Sequence, residues 1–279
     1  MIPARRPPSY CFASFRRDRL FSSLLFLEGI AVTRISEYLV VRSRMNHQSL
    51  AVEMNLLDAA NKSYAEQHHL DLYLTEAVRS ALLLRVPEDA LNSFFFQFFQ
   101  SVSRGEHTVG RGFVFVSGSV HNRRSAANAA LAALGHLTTV SEPLSVSDWH
   151  ALLQLLWPDI PEGLVLKSTS LAMARERTSH SKVEARSFLR AFGVQLVFED
   201  FLTVSEEIFK ELGGTRHDAT FGRKEFLKRL EECRQHLSTE HRQRSAWPER
   251  AVTEALPENL CCFSDVSNIL LASHVDEQF

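Results

Sequence analysis

The sequence predicts a mainly α-helical protein, and three observations carry that expectation. Apolar residues recur at helical spacing over most of the chain beyond residue 62, glycines and prolines stand mostly at the ends of those segments, and only residues 110–120 alternate as a strand does. A chain of 279 residues with 45% apolar content can fill one large core or two modest ones. Charge is divided unevenly. Residues 1–44 carry eight arginines against three acidic groups, a surplus of +5, which leaves −7 for the rest of a chain whose total is −2. Binding nucleic acid through charge needs clustered cations facing phosphates, so the body is not expected to do it. Cys11, Cys233, Cys261 and Cys262 form no disulfide framework and fit a reducing compartment.

Residues 1–62 are expected to be a disordered tail or an upstream extension, with Met45 or Met54 as the working start. The run of Arg5, Arg6, Arg16, Arg17 and Arg19 among serines also suits a mitochondrial import sequence, which keeps an imported helical protein or enzyme of unknown activity open as the alternative. The most membrane-like stretch, 20–32, contains Glu28 and is shorter than the ~20 residues a spanning helix needs, so no membrane contact is expected.

Residues 63–104 predict a helical hairpin. The first helix covers 64–85, with Leu70, Leu74, Ala77, Val78 and Ala81 on one stripe. Pro87 stops it and opens the next, and Glu88 and Asp89 suit the positive end of that helix. The second helix reads SFFFQFFQSV over 93–102. At 100° per residue, Leu91, Phe94, Phe95, Phe98, Phe99 and Val102 share an arc of about 140°, the width of a buried face. Phe96 projects about 60° beyond it, beside Gln97 and Gln100. Burying a phenylalanine is worth roughly 1.5–3 kcal/mol, so Phe96 calls for a second covering surface. Phe96, Gln97 and Gln100 are the candidate protein interface.

Residues 105–212 predict a helical body. After Gly105 the stretch 110–120 reads as a short strand or extended connector, and helix resumes near Ser125 and stops at Gly135. Ser145 caps a helix carrying Trp149, Leu152, Leu153 and Leu156, ended by Pro158 and Pro161. A further helix spans about 161–174. Ser181 with Glu184 fits a capping box that starts an apolar stretch through Phe188, Leu189, Phe192 and Leu196 toward Leu212, with Gly193 as a bend or close contact. Residues 213–222 read as a loop. In the last part, 223–279, one helix carries Phe226, Leu230, Cys233 and Leu237 on one face, and two short helices follow after Pro248 and from Ser264.

Two segments share the frame of an EF-hand loop, which has an apolar residue at its eighth place and a carboxylate at its twelfth. Leu144, Asp148 and Trp149 fit, and Val183, Ser187 and Phe188 repeat the frame 39 residues later without the carboxylate. The places that would hold calcium are Leu137, Thr139 and Ser141 in the first loop and Glu176, Thr178 and His180 in the second. One carboxylate among six cannot satisfy a hard dication, so the pair is a degenerate, EF-hand-like packing scaffold. Cys233, His236, His241, Cys261 and Cys262 match no zinc spacing. GxSxG, HExxH, CxxC and phosphate-cradling glycine loops are absent from the sequence, and the adjacent pairs Glu206–Glu207 and Glu231–Glu232 point about 100° apart on a helix. Neither a catalytic centre nor a cofactor is expected.

The segments YAEQH at 64–68, TEAV at 75–78, FFFQFFQSV at 94–102, GEH at 105–107, HNR at 121–123 and HALLQLLWPDIP at 150–161 come in a telling order. With FLRAFGVQLVFEDFL at 188–202, EEIFKEL at 206–212, FLKRLEECRQH at 226–236 and VTEAL at 252–256, the chain resembles the centriolar satellite-associated tubulin polyglutamylase complex regulator family over residues 63–273. That resemblance implies a non-catalytic regulator that binds subunits of the polyglutamylase complex and, directly or through it, tubulin. It places the protein in the cytoplasm and cytoskeleton, at the centrosome, centriolar satellites or ciliary base, and it supplies no site residues. The hairpin also resembles the dimerisation and docking module of cyclic-AMP-dependent kinase regulatory subunits, whose acidic-proline loop is met in part by RVPEDAL at 85–91. This likeness implies a homodimer built as a four-helix bundle, with a groove for an amphipathic partner helix.

Overall fold

The structure is a computed structural model that describes residues 64–139, 142–176, 182–212, 220–237, 246–258 and 260–278. Expectations for residues 1–62, Ser141, Thr178, His180, Ser181 and His241 fall outside them. The account below is of the unit Gln67–Phe279, which is mainly helical as the sequence predicts.

Helix α1 is Leu70–Leu83 and α2 is Leu91–Arg104, joined through a 3-10 turn at Glu88–Ala90. The unbroken helix expected over 64–85 is interrupted at His69, whose backbone is left-handed with φ 50. At the other end of α1 Arg85 is left-handed, φ 51, so its N–H donates to the Leu82 carbonyl at 3.1 Å and the Val86 N–H to the Ala81 carbonyl at 3.0 Å. These bonds satisfy carbonyls that the helix leaves open, and Pro87, in extended backbone, prevents its continuation. Gly105 closes α2 with φ 71, a conformation that costs a residue with a Cβ about 1–2 kcal/mol.

The strand expected within 110–120 is instead a short helix, α3, Phe113–Ser117. Its first N–H, on Phe113, donates to both oxygens of the Asp159 carboxylate at 2.9 Å, and Phe115 and Val116 turn inward. A carboxylate from a distant loop thus meets the positive end of a helix that local alternation disguised as a strand. Helix α4, Val120–Leu134, begins earlier than the alanine run suggested, because the Ser119 hydroxyl accepts the Asn122 N–H at 3.1 Å.

The rest is built from helices α5 (Val146–Gln154), α6 (Glu162–Glu176), α7 (Ala185–Val197), α8 (Glu199–Glu211), α9 (Arg223–His236), α10 (Glu249–Ala255) and α11 (Phe263–Gln278). The apolar stretch running toward Leu212 is two helices, bent at Phe198 (φ −112, ψ 21) and not at Gly193, which is buried inside α7. Glu184 is itself the N-cap of α7 and makes no side-chain capping bond.

Two short antiparallel ladders tie this array together. β1 (Leu144–Ser145) pairs with β2 (Lys182–Val183), setting Leu144 opposite Val183, the two residues given the eighth place of the loop frame. β3 (Phe221–Gly222) pairs with β4 (Leu260–Cys261), setting Phe221 opposite Cys261. β3 lies in the segment read as loop, and this second ladder repeats the first at nearly the same chain separation. The residue five places beyond each of these four, Trp149, Phe188, Phe226 and Val266, is fully buried. Trp149 and Phe188 stack with ring centroids 4.1 Å apart, and Phe209 stacks on Phe226 at 4.8 Å. One continuous core runs from Val116 to Leu271, with α7 packed by α4, α6 and α11.

Candidate protein interface

The hairpin has a small core of its own, made of Tyr73, Ala77, Phe98, Val102 and Phe115, with Leu72, Phe95 and Phe99 partly covered against it. Buried polar contacts weld it to the body. The Tyr73 hydroxyl and His107 Nε2–H both donate to Asn122 Oδ1 at 2.7 Å, and Asn122 Nδ2 donates to the Phe115 carbonyl at 2.7 Å. His121 lies in a stack on His107, with centroids 5.3 Å apart, and its Nε2–H donates to the Val102 carbonyl at 2.9 Å. Arg123 donates to the Ser117 carbonyl and pairs with Asp200 on α8, each at 3.0 Å. The sequence blocks GEH and HNR are therefore the joint between hairpin and body. Burial pushes the His107 imidazole down to about 4, so the joint is assembled around a neutral ring, and burial raises the Tyr73 phenol.

This joint decides which side of α1 faces in. Glu76 and Ser80 are buried, Ser80 Oγ donates to the Glu76 carbonyl at 2.7 Å, and the Arg111 guanidinium reaches the Glu76 carboxylate at 3.4 Å and also donates to the Ser80 hydroxyl. A carboxylate taken from water without such a partner costs several kcal/mol, so the polar edge of α1 is held where Arg111 waits for it. Leu74, Val78 and Leu82 are left 49%, 47% and 74% exposed. The expected stripe is corrected accordingly: Ala77 and Ala81 are inside, while Leu74 and Val78 are outside.

The phenylalanine helix is also less covered than its periodicity implied. Phe98 is 5% exposed, but Phe94, Phe95 and Phe99 are only half-buried, and Phe96 is 49% exposed. Gln97 is exposed, with its Nε2 3.4 Å from Ser93 Oγ; Gln100 is half-buried and its carbonyl accepts the Ser103 hydroxyl at 2.8 Å. Phe96 and Gln97 thus stand in solvent and Gln100 at its margin. The ridge Leu74, Val78 and Leu82 was not among the candidates. Its signal was an apolar arc on α1 wider than one helix can bury, at i, i+4, i+8 spacing.

Other candidate chemistry does not assemble. Among the described residues no three His, Cys, Asp or Glu side chains gather where they would hold a metal. Cys233, Cys261 and Cys262 are free thiols, and burial raises that of Cys261 to about 11. Glu206 pairs with Lys210 at 2.7 Å, and Glu231 and Glu232 pair with neighbours on α9. Asp148 closes a capping box: its Oδ2 accepts the Ser145 N–H at 3.1 Å and the Ser145 hydroxyl at 2.7 Å. Those bonds hold the carboxyl below its ordinary range. No described helix is long and apolar enough to cross a membrane.

The chain is similar to curated proteins called centriolar satellite-associated tubulin polyglutamylase complex regulator 1. It is 30% identical to the Homo sapiens protein over 151 residues, 29% to that of Mus musculus over 151 and 26% to that of Danio rerio over 153. Each match takes in 53% of this chain and 45% of the relative, so the chain spans about half the length of the curated relatives it matches. The resemblance carried by the sequence blocks is to these same proteins. No protein-family model and no solved structure matches the chain.

Proposed function

We propose that this protein is a non-catalytic adaptor that regulates the tubulin polyglutamylase complex and so tunes glutamate-chain addition to microtubules. The observation that carries this is the identity of 30% over 151 residues to a relative named as a regulator of that complex at centriolar satellites. The hairpin's exposed apolar surface supports it, since an adaptor acts through contacts and a lone folded chain gains nothing by showing phenylalanine to water. The body is the scaffold: its two ladders and four buried residues beyond them suit an EF-hand-like arrangement without calcium, and Asp148 is engaged with Ser145. Phe96, Gln97 and Gln100 dock a complex subunit, and the working site is the centriolar satellite and ciliary base.

The test is affinity purification of the tagged chain from ciliated cells, with tubulin and the polyglutamylase subunits followed by immunoblot. Recovery from wild type and at least a tenfold loss with Phe96→Glu, at unchanged circular dichroism, is the expected outcome, worth about 1.4 kcal/mol or more at the interface. Absence of the complex from the wild-type eluate overturns the reading. Equal recovery by the variant removes Phe96 from the docking surface.

A further inference from the structure

Outside the hairpin, the described residues leave four large apolar side chains well exposed: Val109 at 49%, Val114 at 82%, Leu155 at 78% and Leu166 at 53%. Three of them border one seam, beside the joint. There the loop that follows Gly105 lies along the stretch between α5 and α6, tied to it by hydrogen bonds. Trp157 Nε1–H donates to the Thr108 carbonyl at 2.8 Å, the Gly110 N–H to the Leu156 carbonyl at 2.9 Å, and the Phe113 N–H to the Asp159 carboxylate at 2.9 Å. Val109, Leu155 and Val114 are each one residue away from a bonded position. Trp157 is fully buried, so the loop is pinned from within while these three side chains stay in water, and grouped apolar exposure of this kind marks a contact surface.

The exposed charges on the same two stretches have one sign. Glu106, Asp159 and Glu162 are exposed, and neither Glu106 nor Glu162 belongs to an ion pair among the described residues. The cations beside the loop are already engaged: Arg111 within it and Arg79 against Gly112 reach the Glu76 carboxylate at 3.4 and 3.6 Å. Arg104 stands in the last turn of α2, where the negative end of the helix dipole holds a cation. An acidic margin around apolar side chains selects its occupant. A second copy would bring the same carboxylates against these, and a glutamate chain or an anionic lipid surface is repelled. A segment that carries lysine or arginine among apolar residues meets both features.

We propose that this seam docks a basic amphipathic segment of a partner protein, whose apolar side chains cover Val109, Val114 and Leu155 and whose cations meet Glu106, Asp159 and Glu162. The inference stands apart from the Phe96 face and from the regulator assignment. It adds a second docking surface and fixes the sign of the charge that its occupant carries.

Fluorescence anisotropy on the purified full chain tests it, with two labelled synthetic helices of about 18 residues as probes, one built of leucine and lysine with a single apolar face and one with glutamate in place of lysine. The lysine peptide is expected to bind with a Kd below about 50 µM and the glutamate peptide at least about tenfold more weakly. Val109→Ser combined with Leu155→Ser, both at exposed positions that tolerate a polar side chain, weakens the lysine peptide about tenfold or more. Glu106→Lys combined with Glu162→Lys weakens it as much and brings the glutamate peptide to within about threefold of the lysine peptide on wild type. Glu207→Lys combined with Glu211→Lys, exposed on α8, changes net charge by the same amount and shifts the lysine peptide by less than about threefold. Circular dichroism identical to wild type accompanies each variant. A lysine peptide that does not bind wild type up to about 1 mM overturns the proposal. So do serine variants that bind as wild type does, or a loss from the α8 pair equal to that from the seam pair. Only the purified chain and a synthetic peptide are present, so failure here leaves the regulator assignment to its own capture experiment.

Discussion

The body and the hairpin bury their large side chains in opposite ways. In the body Trp149, Trp157, Phe188, Phe192, Phe201 and Phe226 are sealed completely. In the hairpin one phenylalanine of five in α2 is buried, and leucines and a valine on α1 stand in water while a glutamate is covered. The body closes mainly by apolar packing. The hairpin is held to it by Asn122, His121 and Arg111, polar contacts with directional geometry, and leaves apolar surface exposed. On the proposal that this exposed surface binds other chains, stability and recognition are separated along the sequence, and substitutions should fall into two classes.

The sharpest test of that separation pairs one substitution from each region. Trp149→Ala removes a ring that stacks on Phe188 at 4.1 Å in a fully closed site, and the cavity should cost about 3–5 kcal/mol in urea unfolding. Leu82→Ala removes a side chain that is 74% exposed, and unfolding should move by no more than about 0.5 kcal/mol. If the two changes cost the same, the division between a self-sufficient body and an open hairpin is wrong.

The joint supplies an intermediate effect with a definite pH signature. His107 is neutral in the fold, its pKa lowered to about 4 from 6.5, chiefly by burial and with His121 and Arg111 acting in the same direction. A depressed histidine contributes stability that is complete above the unfolded value and fades as pH falls through the window from 6.5 toward 4. Over that window the loss should reach about 2–4 kcal/mol. Urea midpoints taken through it should decline in wild type, and in His107→Gln this component should vanish although the variant is less stable at neutral pH. A wild-type midpoint that is flat through the window would show that His107 is not held neutral by the joint.

How much of this was legible follows from how local each cause is. The pairing of Leu144 with Val183 could be anticipated because an apolar residue is followed five places on by an aromatic in both segments, Leu144 by Trp149 and Val183 by Phe188. Phe221 and Cys261 are likewise followed five places on by buried Phe226 and Val266, but valine in place of an aromatic breaks the pattern, so the sequence marks this pair less clearly. The orientation of α1 was not legible. Burying Glu76 depends on Arg111 and burying Tyr73 on Asn122, partners far along the chain that no periodicity of α1 contains. Residues 110–120 failed for a related reason, since the Asp159 carboxylate that starts α3 comes from the far side of two helices. For the interface, the angle of Phe96 from the buried arc marks it as outward, whereas the helical spacing of Leu74 and Val78 predicts them inward, where apolar residues at such spacing usually lie.

The smallest expected effect concerns calcium. In the loop frame read from the sequence, Asp148 at the twelfth place accepts two hydrogen bonds from Ser145, and Leu137 and Thr139 offer no carboxylates. Asp265 is engaged in the same manner, its Oδ2 accepting the Cys262 N–H at 2.8 Å. Calcium needs six to eight oxygens, several of them anionic, and a carboxylate committed to a helix cap cannot turn toward an ion without uncapping its helix. Millimolar calcium should therefore leave the thermal midpoint where EDTA leaves it, and Asp148→Asn should lower the midpoint equally in either solution. A midpoint that rises with calcium in wild type and not in Asp148→Asn would mean that the cap opens to bind the ion, and the body would then be a sensor for the hairpin to report.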